Sequence, residues 1–160
     1  SLAQGSLSQT GGDLDIAINS YWLENPLPAG DPSTDAWSEH LVDASWPGDG
    51  SVHLAHIDGD GRLDIVYAAS ESTGRLSWYP GPADPTVGPW VENVVDPSLD
   101  YVHTIESADV DRDGRRDLVT AEMHQSTDPD EVSVYYNRGD GLSWEQQIVA
   151  TTGSDRKSVV

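Results

Sequence analysis

The residues best equipped for chemistry are four aspartates in Asp109-Val110-Asp111-Arg112-Asp113-Gly114-Arg115-Arg116-Asp117, at positions 1, 3, 5 and 9 of a short loop. Hard cations such as calcium take six to eight oxygens in a flexible shell. Asp109, Asp111 and Asp113 would each give one carboxylate oxygen, Arg115 its main-chain carbonyl, and Asp117 two oxygens. Gly114 at position 6 lets the chain turn sharply. Without a counter-ion, carboxylates this close in sequence repel one another. A solvated acidic turn is the plainer reading. The glycine and the apolar run Leu118-Val119-Thr120-Ala121 that follows favour an ion loop feeding a strand.

A second loop has the same frame: His56-Ile57-Asp58-Gly59-Asp60-Gly61-Arg62-Leu63-Asp64. Asp58, Asp60 and Asp64 hold positions 3, 5 and 9, and the carbonyl of Arg62 holds position 7. His56 stands where the first aspartate would be, and an imidazole nitrogen is a poor calcium ligand beside oxygen. Weaker binding is expected there. In a third loop, Leu7 to Asp15, Gln9 and Gly11 replace the acidic positions 3 and 5, so that loop is expected to be empty. An EF-hand is a poor fit, because position 12 is Tyr67 or Thr120 rather than glutamate and the following residues suit a strand.

The elements that would position these loops recur. Asp15-Ile16-Ala17-Ile18, Asp64-Ile65-Val66-Tyr67 and Asp117-Leu118-Val119-Thr120 are spaced by 49 and 53 residues. Trp37, Trp90 and Trp144 open a second series, spaced by 53 and 54, and Val52-His53 matches Val102-His103 fifty residues on. Each period holds four short strand-like runs between Gly, Pro, Asp and Asn clusters, except the first, which begins late with Asp15 to Ile18. No run has sustained helical periodicity. Four strands in about fifty residues predict an all-β fold of β-propeller blades, each a four-stranded antiparallel sheet. The expected units are a partial first blade over 1–50, a second over 51–100 and a third over 101–154. Three blades fall short of the four to eight that close a ring, so the chain reads as an arc of a larger propeller or one of several copies.

The last residues, 155–160, break the pattern. They can be encoded by the opening codons of a common sequencing adapter, whose next in-frame codon is a stop. The expectation is a non-native read-through tail after Ser154.

The nine-residue loop feeding a strand resembles the FG-GAP/VCBS repeat, the blade unit of integrin α-subunit head propellers and of many secreted bacterial proteins. His56 to Val66 and Asp109 to Val119 carry the resemblance, Asp15 to Ile18 is a weaker match, and the blade pattern extends it over about residues 12 to 154. The chain has no Phe and no Gly-Ala-Pro, which places it nearer the bacterial branch than the integrins. The resemblance implies a seven-bladed parent, calcium in loops between the first and second strands of a blade, and a structural role for that ion.

Composition narrows the partners. Eight Lys and Arg against 28 Asp and Glu give a formal charge of -20, which disfavours nucleic acid and anionic membranes. No apolar run is long enough to span a membrane as a helix. There is no cysteine, hence no disulfide or thiolate site. No signal peptide is visible at the first residues, which also lack an initiator Met.

Other residues offer chemistry. His53 and His103 hold equivalent places in the expected innermost strands, and Glu122 and His124 lie two apart on one face of a strand. Together they would make a transition-metal or acid–base site of a propeller lyase or dehydratase acting on carbohydrate. Recurrence of His53 and His103 across blades favours an architectural role instead. The aromatic pairs Tyr21-Trp22, Trp78-Tyr79 and Tyr135-Tyr136 would stack on sugar rings if exposed. The leading expectation is a non-enzymatic, calcium-binding module of a secreted or cell-surface bacterial protein, for adhesion or for carbohydrate or protein binding. Its partners would be calcium, an extracellular ligand and the missing blades of the parent.

Overall fold

The computed structural model describes residues 1–8, 12–46, 48–126 and 129–152. The expected tail at 155–160, and Gln9 and Gly11 of the degenerate loop, lie outside the described residues. Among those residues the secondary structure is all β, in three four-stranded antiparallel sheets ordered as simple meanders. The first sheet is β1 (Ala3–Gly5), β2 (Asp15–Ile18), β3 (Tyr21–Glu24) and β4 (Ser38–Leu41). The second is β5 (Gly50–Ala55), β6 (Asp64–Ala69), β7 (Thr73–Tyr79) and β8 (Asn93–Asp100). The third is β9 (Val102–Ala108), β10 (Asp117–Glu122), β11 (Asp130–Asn137) and β12 (Trp144–Thr152). These are incomplete propeller blades; ring closure is not seen. No described helix is long and apolar enough to cross a membrane.

The middle sheet explains why its sequence looks unlike an alternating strand. Every residue of β6 is buried. Ile65 and Tyr67 pack with Ala17, Trp22 and Trp46 of the first unit, while Val66 and Ala68 pack with Val102, Ile105, Leu118 and Tyr135 of the third. A strand covered on both faces has no polar side to show. The cores are aromatic-rich: Trp22, Trp78, Tyr67, Tyr79 and Tyr135 are at most 2 % exposed. Aromatic side chains bury about 150–250 Å² each, roughly 4–6 kcal/mol of transfer free energy apiece before entropy is counted.

Polar pins join the sheets as well. Ser51 Oγ donates to the Val102 carbonyl (2.8 Å), and His53 Nε2 lies 3.0 Å from Ser107 Oγ, so β5 and β9 run side by side. The Gly141 carbonyl accepts both the Trp78 and Trp144 indole N–H groups, at 2.8 and 2.7 Å. Asn137, fully buried, donates to the Ile57 carbonyl (3.0 Å).

Two expectations shift. The first unit has an innermost strand, β1, which its three residues are too few to reveal by alternation. Trp37 and Trp90 precede their strands instead of opening them; their indoles donate to the carbonyls of Pro32 and Pro85 in the connecting loops.

Candidate metal centre

The structure places each aspartate loop between the first and second strands of its sheet, at the end where β6 and β10 begin. Glycine at position 6 makes the turn in all three: Gly12, Gly61 and Gly114 have φ of +75°, +88° and +92°, the left-handed region open to residues without a Cβ. Position 4 is also left-handed in both acidic loops, as Gly59 (φ +77°) in one and Arg112 (φ +64°) in the other.

The aspartate at position 9 does the same job in every blade. Asp117 Oδ2 accepts the Val110 N–H (2.8 Å) and Oδ1 the Asn137 N–H (2.9 Å). Asp64 accepts from Ile57 (2.6 Å) and Gly81 (2.9 Å). Asp15 accepts from Leu7 (2.8 Å), Ser8 (2.7 Å) and Asn25 (3.0 Å). All three carboxylates are fully buried. Each ties the loop to the far end of the third strand of its own sheet. This clamp persists in the first unit, where the chain lacks acidic positions 3 and 5. It was not legible as a clamp from spacing, which suggested chelation alone. Chelation by Asp117 through both oxygens would use the lone pairs that the N–H bonds leave.

The ligand sets include that clamp aspartate. Carboxylate oxygens of Asp109, Asp111 and Asp117 lie within 4.8 Å of one another, as do those of Asp58, Asp60 and Asp64. These two are the only such groups of His, Cys, Asp and Glu among the described residues. A convergent all-carboxylate set suits a hard, oxygen-seeking cation and suits zinc or copper poorly. Asp113 is outside the convergent group; its carboxylate pairs with the Arg115 guanidinium. In the second loop His56 Nδ1 lies 2.6 Å from the Arg62 carbonyl. The residue that fails to supply an oxygen at position 1 therefore also occupies the carbonyl expected to ligate at position 7.

Arginines answer the acidic charge. Arg62 pairs with Asp60, Arg115 with Asp113, and Arg138 with Asp111. Arg115 Nε also donates to the Asn137 carbonyl (2.6 Å), on the residue whose N–H meets Asp117. Arg62 Nε bonds the Gly81 carbonyl in the same way. The side chains of Arg62 and Arg115 were overlooked in the sequence, where position 7 counted only as a carbonyl; their repetition at one loop position was the available signal. Arg138 has no such signal. Burial, with the charges of Asp58 and Asp60, pushes Asp64 up to about 6, against the lowering effect of its two N–H donors.

The alternative histidine set is not brought together. His53 is held by Ser107, His103 pairs with Glu71 (3.3 Å), and His124 is exposed. Glu122 accepts the Asp100 and Glu131 N–H groups at 3.2 and 3.1 Å, and burial raises its carboxyl. It lines a cleft of about 330 Å³ with Asp96, Asp100, Glu131 and Gln146, without any of the three histidines. The aromatic pairs do not form an open paired platform either: Trp22, Trp78, Tyr79 and Tyr135 are buried, the Arg138 guanidinium covers Tyr136, and Tyr21 is exposed beside a buried Trp22.

A family model described as an FG-GAP-like repeat matches residues 56–120, from the second loop through the third and into β10. That segment is similar to an FG-GAP-like repeat. The match starts at position 1 of the second loop and runs through the clamp aspartate of the third, so it spans both convergent carboxylate groups. The FG-GAP-like segment also holds the whole of β6 and β7. No curated protein and no solved structure matches the chain.

Proposed function

We propose that this β-propeller repeat module binds calcium and works without catalysis, as an adhesive or ligand-binding part of a secreted or cell-surface bacterial protein. The observation that carries the reading is the pair of convergent aspartate groups, one in each acidic loop at the same place in its blade. Asp109, Asp111 and Asp117 would hold the better ion. Asp58, Asp60 and Asp64 would hold a weaker one, since His56 supplies no oxygen and engages the Arg62 carbonyl. The ion would neutralise the carboxylates that arginines otherwise answer and fix the loop against two strands. Extracellular calcium is concentrated enough for sites of modest affinity. With Trp22, Trp78, Tyr79 and Tyr135 inside the fold, a protein surface is the better-supported ligand than a stacked sugar ring.

Titration calorimetry with calcium tests this, using Asp109→Ala alongside the unmodified chain. Asp109 is the variant of choice because it carries no clamp to the third strand. The reading expects heat from the unmodified chain and loss of the tighter event in the variant. No heat from the unmodified chain overturns it.

A further inference from the structure

The third loop has a cationic side chain brought to it from outside the loop. The third-strand N–H groups that meet the clamp aspartates belong to Asn25, Gly81 and Asn137. One residue further on stand Pro26, Pro82 and Arg138, so only the third blade has a charge at that place. The Arg138 main-chain N–H donates to the Ser143 carbonyl (2.7 Å), which fixes the base of the side chain in the turn before β12. Its guanidinium reaches back to Asp111, with Asp113 3.9 Å away, while Nε donates to Glu145 of β12 (2.9 Å). It also lies over the Tyr136 ring, 4.7 Å from the centroid. In the second loop Asp58 holds the place of Asp111 and meets no cationic side chain among the described residues; Arg62 pairs with Asp60 instead.

Resting on calcium binding at that loop, we propose that Arg138 is an internal occupant that exchanges with the ion at Asp111 and relays the exchange to Tyr136 and β12. Asp111 is at once a member of the convergent carboxylate group and an anchor of the guanidinium. An arginine keeps its charge at any ordinary pH, so it and a dication repel one another when they share one carboxylate. Glu145 holds the guanidinium from the other side, so on leaving Asp111 it keeps one ion pair. Without the ion, the same contact eases the repulsion between Asp111 and Asp113. The position of the guanidinium over Tyr136 is set by both anchors. Tyr136 and Glu145 are cross-strand partners, so losing the Asp111 anchor changes the surroundings of the ring and of the start of β12 together. The outer face of the third sheet then differs between the loaded and the unloaded loop, while the second blade, with Pro82 at that place, has no such relay.

Nuclear magnetic resonance of the full chain, labelled at the tyrosine rings and at nitrogen, follows a titration with calcium chloride. Tyr136→Phe identifies the Tyr136 signal, and Arg138→Gln identifies the Arg138 Nε–H. Both signals should move with the same midpoint as the main-chain amides of Asp109 to Asp117, and both should stay still in Asp109→Ala. By calorimetry, Arg138→Gln should tighten the third-loop event roughly two- to five-fold, the worth of an exposed ion pair, and leave the second-loop event unchanged. Arg116→Gln removes the same charge from an exposed arginine that makes no ion pair among the described residues, and should tighten it less. Loop amides that move while Tyr136 and Arg138 stay still overturn the relay and leave calcium binding standing. Loop amides that never move overturn both. Equal gains in the two arginine variants, or a loss in Arg138→Gln, overturn the exchange.

Discussion

Asp15→Ala separates the clamp from the ion. Asp15 is fully buried and takes three main-chain N–H groups, from Leu7, Ser8 and Asn25, at 2.7 to 3.0 Å. Alanine leaves those donors without an acceptor, and each buried unsatisfied donor costs about 1–3 kcal/mol. If water reaches one of the three, the two left give a total of roughly 2–6 kcal/mol. That is a large share of the about 5–15 kcal/mol that holds an ordinary domain folded. Asp15→Asn keeps one acceptor oxygen and turns an amide toward the remaining donor, at about 1–3 kcal/mol. Urea denaturation followed by Trp fluorescence, once in calcium and once in chelator, gives both values. Because the first loop lacks acidic positions 3 and 5, the loss should be equal in the two conditions. Asp117→Ala, which removes a clamp and a ligand together, should lose more in calcium than in chelator. A cost below about 0.5 kcal/mol for Asp15→Ala, the ordinary range of surface changes, would refute the clamp.

Four further outcomes follow from the same geometry. Arg112→Gly relieves a left-handed arginine that Gly59 replaces in the sister loop, and should raise stability by about 0.5–1 kcal/mol in thermal melts. Arg138→Ala removes the guanidinium that pairs with Asp111, so calcium affinity at the third loop should rise several-fold by calorimetry; a fall would contradict the competition. Asp64 sits at about 6, above its ordinary value, so the proton competes with the cation in the window below that. Calcium affinity at the second loop should therefore fall as pH drops below about 6, by at most tenfold per unit, and hold steady above it. Burial lowers His53, with Glu106 opposing. The unfolded chain then binds more protons as pH falls below the ordinary histidine range, so stability declines there, and His53→Gln should flatten that decline in pH-dependent melts.

Recurrence was the legible part of this chain. The clamp aspartates, with spacings of 49 and 53, marked the second strand of each blade, and turn residues marked the ends. What spacing could not show was which atoms each aspartate meets. Asp15, Asp64 and Asp117 look like ligands in sequence, yet their oxygens are engaged by N–H groups seven to twenty residues away. Gly12 illustrates the same limit. It holds position 6 with positive φ in a loop whose ligand pattern is degraded, so turn and clamp persist where the acidic positions do not. The aromatic pairs were ambiguous because a blade presents alternate residues to two neighbours, and only packing shows that both sides of Trp78-Tyr79 are covered. Arg138 reaches Asp111 across 27 residues, which no local pattern encodes.

The most direct measurement is a crystal structure grown in calcium, with an anomalous difference map over the loops. The prediction is a peak bounded by Asp109, Asp111 and Asp117 at about 2.3–2.6 Å from their oxygens. A weaker peak is expected at Asp58, Asp60 and Asp64, and none at Asp15, with Arg138 released from Asp111. An empty third loop, with the Arg138 guanidinium still on Asp111 at saturating calcium, would contradict the calcium-binding role.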